Sequence, residues 1–149
     1  MNSITSSVQL LLSQADHIQR FTLYDIITYG KIVSVYDGDT FDMSFIVPLK
    51  LLTTERNISK RKKGICLICE GEYADSILMR MKCRMEGINA PELDTEEGIV
   101  AKEDLERILN HKIVKCRLGG YDKYGRILVS ILEQDDDLKK HLEKHILPS

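Results

Sequence analysis

Three polar clusters in the sequence combine residue types that together can act on a phosphodiester. They occupy residues 37–40 (Asp-Gly-Asp-Thr), 84–92 and 122–126 (Asp-Lys-Tyr-Gly-Arg). Carboxylate, amide and carbonyl oxygens are the ligands of a hard divalent cation, and a nearby carboxylate can orient or deprotonate a water. Arginines hold phosphate oxygens and stabilise the charge that develops in a transition state. The clusters therefore indicate metal-assisted hydrolysis.

Residue type assigns the candidates within these clusters. They are Asp39, Asn89 and Ala90 for the cation, Glu92 for the water, and Arg84 and Arg126 for the phosphate. Each cluster alone also has an ordinary structural interpretation. Residues 37–40 are typical of a hairpin turn, and residues 122–126 are typical of a tight turn. Pro91 disfavours the α conformation of the residue before it, which is typical of a strand exit. Only the combination of the three clusters points to chemistry.

The elements that would position these clusters are predicted from the spacing of apolar residues. β-Branched and alternating patterns predict strands over residues 26–35, 41–47, 77–88, 113–118 and 127–132, with a short extra strand over 65–68. Helical spacing predicts helices over residues 6–18, 98–109 and 137–147. Five short strands with a helix between the third and the fourth predict a mainly β, α+β fold: a five-stranded OB-fold barrel with a short C-terminal helix and an N-terminal helical extension.

The overall composition is that of a single globular domain. The chain has 149 residues, of which 43% are apolar and 30% charged, and no apolar run approaches the roughly 20 residues of a membrane span. The net charge of −2 excludes binding of nucleic acid by bulk charge alone but allows a local basic site. We recognise no signal peptide and no disulfide spacing among the four cysteines, so we expect reduced thiols and an intracellular location, cytoplasmic or nuclear, without a membrane partner.

Four segments, in register and in the same order, resemble the staphylococcal-nuclease-like (thermonuclease) family. They are residues 33–40, 83–92, 98–102 and 122–128. The resemblance covers about residues 31–147, apart from 49–75, which looks like an insertion. It divides the chain into an N-terminal helical extension, residues 1–24, expected to pack on the domain or to fray, and an OB-fold domain, residues 25–149. The family resemblance implies a calcium-dependent, sugar-nonspecific endonuclease that hydrolyses phosphodiester bonds of DNA and RNA.

The resemblance also implies a role for individual positions. It implies catalysis by Arg84, Glu92 and Arg126, calcium binding by Asp39, Asn89 and the Ala90 carbonyl, a supporting acid at Asp37, and phosphate contacts from Lys123 and Tyr124. Asn89 stands where the family usually has a second calcium-binding aspartate. The loss of one formal charge predicts weaker calcium binding. The alternative is a weakened, staphylococcal-nuclease-like OB-fold module that binds nucleic acid or protein without cleaving.

Three other features carry weaker hypotheses. Cys66 and Cys69 have the spacing of half a zinc site, but a zinc site would need four converging ligands. A redox or zinc protein built on the four cysteines is a third hypothesis, which would require metal to co-purify stoichiometrically. His141 and His145 are four residues apart, and we expect them at a solvated helix end rather than at a metal. The basic run 60–63 is expected to be a solvated loop, with contact to a phosphate backbone as the alternative.

Overall fold

The secondary-structure elements follow the predicted order. The computed structural model of the chain describes residues 3–17, 21–48 and 76–148. The strands are β1 (Ile26–Val35), β2 (Thr40–Pro48), β3 (Ser76–Met85), β4 (Ile113–Tyr121) and β5 (Ile127–Ile131). The helices in these residues are α1 (Ser6–Leu12), α2 (Glu96–Leu109) and α3 (Asp136–His145), and a 3-10 turn covers Ala15–His17.

The five strands close into a barrel in the order β1-β2-β3-β5-β4. Every neighbouring pair is antiparallel except β3 and β5, which run parallel. A parallel pair needs a crossover connection, and α2 and β4 lie in that connection. The prediction of a mainly β, OB-like α+β barrel with a helix between the third and fourth strands is confirmed.

The barrel core follows the two-residue period of the strands. On β2, Phe41, Met43 and Phe45 are fully buried, whereas the intervening Asp42 and Ser44 are partly exposed. Inward-facing residues of the other four strands and apolar residues of α2 and α3 complete one continuous cluster. The outward positions of β2 and β3 are therefore left for polar side chains, and some of these form the candidate site.

Helix α2 fixes the segment that carries Glu92. The Thr95 hydroxyl accepts a hydrogen bond from the Gly98 N–H at 3.0 Å and donates one to the Glu92 carbonyl at 2.7 Å. Such a cap satisfies a backbone donor that the first helical turn leaves unpaired. A Cβ atom at Gly98 would collide with the Glu92 carbonyl, so this close approach requires glycine. Since Leu105 on the same helix is fully buried in the core, Glu92 is tied through α2 to the barrel.

Several details differ from the sequence predictions. Strand β3 was predicted to reach residue 88 but ends at Met85, because Gly87 adopts a left-handed φ of 76° and turns the chain. The predicted helix over 6–18 ends at Leu12 and contributes no buried residue, so it does not pack on the barrel. Helix α3 spans Asp136–His145 instead of the predicted 137–147, and its N-cap is Asp135, whose side chain accepts from the Leu138 N–H. The predicted strand over 65–68 and the basic run 60–63 lie outside the described residues.

The buried cysteines behave as small apolar residues. Cys83 on β3 and Cys116 on β4 are fully buried, free thiols, and burial raises the pKa of each to about 12. These two thiols are therefore protonated and unreactive at neutral pH. Cys66 and Cys69 lie outside the described residues. None of the helices in residues 3–17, 21–48 and 76–148 is both long and apolar enough to cross a membrane.

Candidate active site

The three predicted clusters meet in one pocket of about 590 Å³. Its walls come from the β1–β2 turn, from the end of β3 with the segment that follows it, and from the β4–β5 turn. All nine predicted site residues line it: Asp37, Asp39, Arg84, Asn89, Ala90, Glu92, Lys123, Tyr124 and Arg126. The remaining lining residues are Tyr36, Thr40, Lys82 and Pro91. Segments more than 80 residues apart in the chain thus converge because the barrel brings three strand ends together.

Asp39 forms the buried centre of one wall. It is only 6% exposed, and its two carboxylate oxygens accept from different donors. Oδ1 accepts from the Thr40 hydroxyl at 2.8 Å, and Oδ2 accepts from the Ala90 N–H at 2.8 Å. The Asp39 N–H in turn donates to Asp37 Oδ1 at 3.0 Å. Residues 37–40 and 88–92 are called the acidic wall below.

Arg84 reaches across this wall from the end of β3. Its Nη2 donates to Asn89 Oδ1 at 3.1 Å and to the Ile88 carbonyl at 3.3 Å, and lies 3.8 Å from Asp39 Oδ2. The side chain is partly buried. Nη2 of Arg84 is therefore held by these oxygen atoms. The side chain also contributes to the lining of the pocket.

Arg126 belongs to a compact turn, residues 122–126, called the basic turn below. Its Nε donates to Asp122 Oδ2 at 2.6 Å, and its Nη1 lies 3.4 Å from the Thr40 hydroxyl. Asp122 Oδ1 accepts the backbone N–H groups of Tyr124 and Arg126. Desolvation alone would raise the pKa of Asp122, but these bonds outweigh it and hold the pKa below its ordinary value. The turn therefore fixes the Arg126 guanidinium before any substrate arrives.

Glu92 differs from the other acids of the pocket because its carboxylate is uncommitted. Its side chain is exposed, and within the described part of the chain it makes no hydrogen bond or ion pair. Only its backbone carbonyl is engaged, by Thr95. A carboxylate on a fixed backbone with open acceptor sites is suited to bind and orient a water.

The oxygen atoms of the acidic wall suit a hard cation. Burial and the neighbouring charge of Asp39 raise the pKa of Asp37. The carboxylates of Asp37 and Asp39 therefore repel each other, and a cation bound between them would stabilise both. Each Asp39 oxygen keeps acceptor capacity beyond its one strong hydrogen bond. In residues 3–17, 21–48 and 76–148, however, no three His, Cys, Asp or Glu side chains cluster as a metal site. A cation here would therefore depend on amide, carbonyl and water oxygens as well.

His141 was expected at a solvated helix end, and that prediction is wrong. The residue is 1% exposed. Its Nδ1 lies 2.9 Å from Asp104 Oδ2 on α2, and its Nε2 lies 2.7 Å from the carbonyl of Gly38. Each ring nitrogen therefore faces an acceptor oxygen, one from a side chain and one from the backbone. His141, on α3, thereby ties the turn that carries Asp39 to both α2 and α3.

His145, the other member of the predicted pair, packs its ring 4.8 Å from that of His141 at an angle of 62°. Burial lowers the pKa of His145, and the charge of His141 lowers it further. The spacing of four residues did place both rings on one face. The sequence did not predict the burial of His141, because the carbonyl oxygen of Gly38 that contacts its ring is 103 residues away in the chain.

The comparisons with known proteins do not assign the chain to a family. No protein-family model matches it, and a search of curated proteins finds no match.

Proposed function

We propose that this chain is a calcium-dependent, sugar-nonspecific nuclease that hydrolyses phosphodiester bonds of DNA and RNA. The observation that carries the proposal is the convergence of Arg84, Arg126 and an uncommitted Glu92 beside the buried Asp39 in one pocket. The resemblance of residues 33–40, 83–92, 98–102 and 122–128 to the thermonuclease family supports the same activity.

The two arginines would hold the scissile phosphate. Asp122 uses the Nε of Arg126 and the Thr40 hydroxyl accepts from Nη1 at 3.4 Å, which leaves Nη2 and the second N–H of Nη1 for phosphate oxygens. Arg84 approaches from the acidic wall, where Asn89 and the Ile88 carbonyl orient it. Charge builds on the phosphoryl oxygens as water adds to phosphorus and the bond from phosphorus to one ester oxygen breaks, that oxygen leaving as the alcohol after taking a proton from solvent. Two fixed guanidinium groups stabilise that charge more than they stabilise the bound substrate.

Glu92 would orient the attacking water and accept its proton. The Thr95 cap of α2 fixes its backbone, while its carboxylate stays uncommitted. Asp39, Asn89 and the Ala90 carbonyl are the residues that would hold calcium, with Asp37 as a supporting acid beside them. Held by these residues, calcium would supply Lewis-acid polarisation of a phosphate oxygen and positive charge against the negative charge of the transition state.

The test is single-turnover cleavage of a labelled single-stranded oligonucleotide by the full chain in calcium. Glu92→Gln keeps the size of the side chain but removes the base, and we expect it to lower the cleavage rate by about a hundredfold to ten-thousandfold. Glu103→Gln, at an exposed position of α2, is the matched control and should cleave as the wild type does. Equal rates for wild type and Glu92→Gln would overturn the role of Glu92.

One observation favours a second candidate function, a nucleic-acid or protein-binding module without catalysis. Arg84 already donates to Asn89 Oδ1, one of the oxygens that calcium would use, and Asn89 itself carries no charge. Asn89→Asp distinguishes the two candidates. Cleavage that appears only in Asn89→Asp supports the binding module, whereas cleavage by the wild-type chain supports the nuclease.

A further inference from the structure

The pocket contains an aromatic–lysine pair that the proposed mechanism leaves without a role. Tyr36 directly precedes residues 37–40 of the acidic wall, and Lys82 lies on β3 two residues before Arg84. Lys82 Nζ lies 4.7 Å from the centroid of the Tyr36 ring, and both side chains line the pocket. Because side chains two apart on a strand project from the same face, Lys82 extends the cationic surface of Arg84 along β3.

The charge of Lys82 is not neutralised by the strand beside it. Asp42 lies directly opposite Lys82 in the β2–β3 register, yet its carboxylate pairs with Arg80 at 3.1 Å. Between residues that the structure describes, no ion pair involves Lys82. A lysine at an aromatic ring, without a carboxylate partner and beside a pocket, is available to a phosphate.

The Tyr36 ring itself is open to a ligand. The residue is 55% exposed although Lys82 lies against the ring, and its backbone N–H is fixed by the Thr40 carbonyl at 2.9 Å. The basic turn repeats the arrangement, since Lys123 Nζ lies 5.0 Å from the centroid of Tyr124, which is 70% exposed. The pocket therefore contains two exposed tyrosines on two separate turns, and a lysine lies against the ring of each.

We propose that Tyr36 and Lys82 form a nucleotide subsite for single-stranded nucleic acid. Tyr36 stacks on an unpaired base, and Lys82 pairs with the neighbouring backbone phosphate. The location rests on the proposed function, because a nucleotide bound here flanks the phosphate held by Arg84 and Arg126. The bases of a duplex are stacked on one another, so this subsite favours unpaired strands.

Binding without cleavage tests the subsite directly. Fluorescence anisotropy of a labelled oligothymidylate is measured with the full chain in EDTA for wild type, Tyr36→Ala, Tyr36→Phe and Lys82→Ala. Tyr121→Ala is the matched control, since this half-exposed tyrosine of β4 does not line the pocket. An abasic oligonucleotide of equal length separates base stacking from backbone contact.

We expect Tyr36→Ala to weaken binding of oligothymidylate by about tenfold to a hundredfold, while Tyr36→Phe and Tyr121→Ala bind as the wild type does. Tyr36→Ala should not change binding of the abasic strand. Lys82→Ala should reduce the slope of log affinity against log salt by about 0.7, the contribution of one phosphate contact on a single strand. A duplex should be insensitive to Tyr36→Ala.

Two results would overturn the subsite: equal oligothymidylate affinity for wild type and Tyr36→Ala, or no binding by the wild type at all. Cleavage in calcium is scored separately. Weakened binding by Tyr36→Ala with no wild-type cleavage retains the subsite and removes the nuclease. Wild-type cleavage with unchanged binding by Tyr36→Ala removes the subsite and retains the nuclease.

Discussion

The two sides of the pocket are held in place by different kinds of contact. The acidic wall has a buried centre at Gly38, Asp39 and Ala90, although its Asn89 and Glu92 are exposed. This centre depends on partners far along the chain: Asp39 accepts from Ala90, 51 residues away, and the Gly38 carbonyl meets His141, 103 residues away. The basic turn is more exposed, and Asp122 fixes Arg126 from only four residues away. We infer that damage to the acidic wall lowers stability and activity together, whereas damage to the basic turn lowers activity with little loss of stability.

Among the variants that separate the two sides of the pocket, the largest expected effect is on the chemistry of the basic turn. Arg126→Ala removes one of the two groups that we propose to stabilise charge on the phosphate, so single-turnover cleavage should slow by about a hundredfold to a thousandfold. The midpoint of urea unfolding should change little. Arg117→Ala, a partly exposed arginine of β4 outside the pocket, is the control. An Arg126→Ala enzyme with the wild-type rate would remove this arginine from the mechanism.

His141 probes the acidic wall. His141→Ala leaves the Gly38 carbonyl and the Asp104 carboxylate without their shared partner, and we expect a loss of about 2–3 kcal/mol in the free energy of unfolding. Cleavage should slow as well, because the turn that carries Asp39 is no longer tied to α3. Urea unfolding followed by circular dichroism measures the first effect. Lys140→Ala, an exposed position on the same helix, should unfold as the wild type does; a His141→Ala protein of equal stability would contradict the account.

Glycines on the two sides should respond to alanine for different reasons. At Gly38 a Cβ would come within 2.6 Å of the Ala90 Cβ and 2.8 Å of the Ala101 Cβ, so overpacking should cost about 2 kcal/mol of stability. At Gly125 no atom lies within 4 Å of such a Cβ, but φ is +80°, and alanine should cost about 1 kcal/mol. Gly125→Asn should recover part of that loss, because asparagine tolerates the left-handed region. Gly38→Asn should not, and equal recovery at both positions would show that packing does not distinguish them.

The smallest expected effect is on acid stability. Burial alone would raise the pKa of Asp104, but hydrogen bonds from Arg107 and His141 outweigh it and lower the pKa below its ordinary value of 3.8. The native state therefore favours the carboxylate. Its contribution is complete above about pH 5 and is lost as the pH falls through the lowered pKa. Asp104→Asn should be less stable than the wild type at pH 7, and the difference should shrink by pH 3 in urea titrations. A constant difference across this range would exclude the linkage.

The contrast between the local contacts of the basic turn and the long-range contacts of the acidic wall also explains which features the sequence predicts. The basic turn can be predicted from residues 122–126 alone, because its aspartate, glycine and arginine interact within five positions. The barrel strands are predictable because apolar alternation and burial share a two-residue period, as on β2. The helical spacing of apolar residues predicted a helix over 6–18, but α1 ends at Leu12 and none of its residues is buried. A helical pattern does not guarantee that the fold offers a surface to pack against.

Long-range contacts are the part that the sequence does not reveal. His141 looks like an ordinary residue of a charged helix until the fold places the Gly38 carbonyl beside its ring. Tyr36 and Lys82 are separated by 46 positions, and only the pairing of β2 with β3 and the turn after β1 bring them together. Residues 37–40 and 84–92 could be predicted to share a site, but the Arg84–Asn89 hydrogen bond could not.

The central claim is that this pocket hydrolyses phosphodiesters with calcium held at the acidic wall. Cleavage of single-stranded DNA and RNA by the full wild-type chain, measured across a calcium titration with an EDTA control, tests it most directly. The account predicts that cleavage is absent in EDTA and rises with calcium, on both substrates. Intact oligonucleotide at every calcium concentration, from a chain whose circular dichroism shows it folded, would contradict the account and leave the binding module as the function of this barrel.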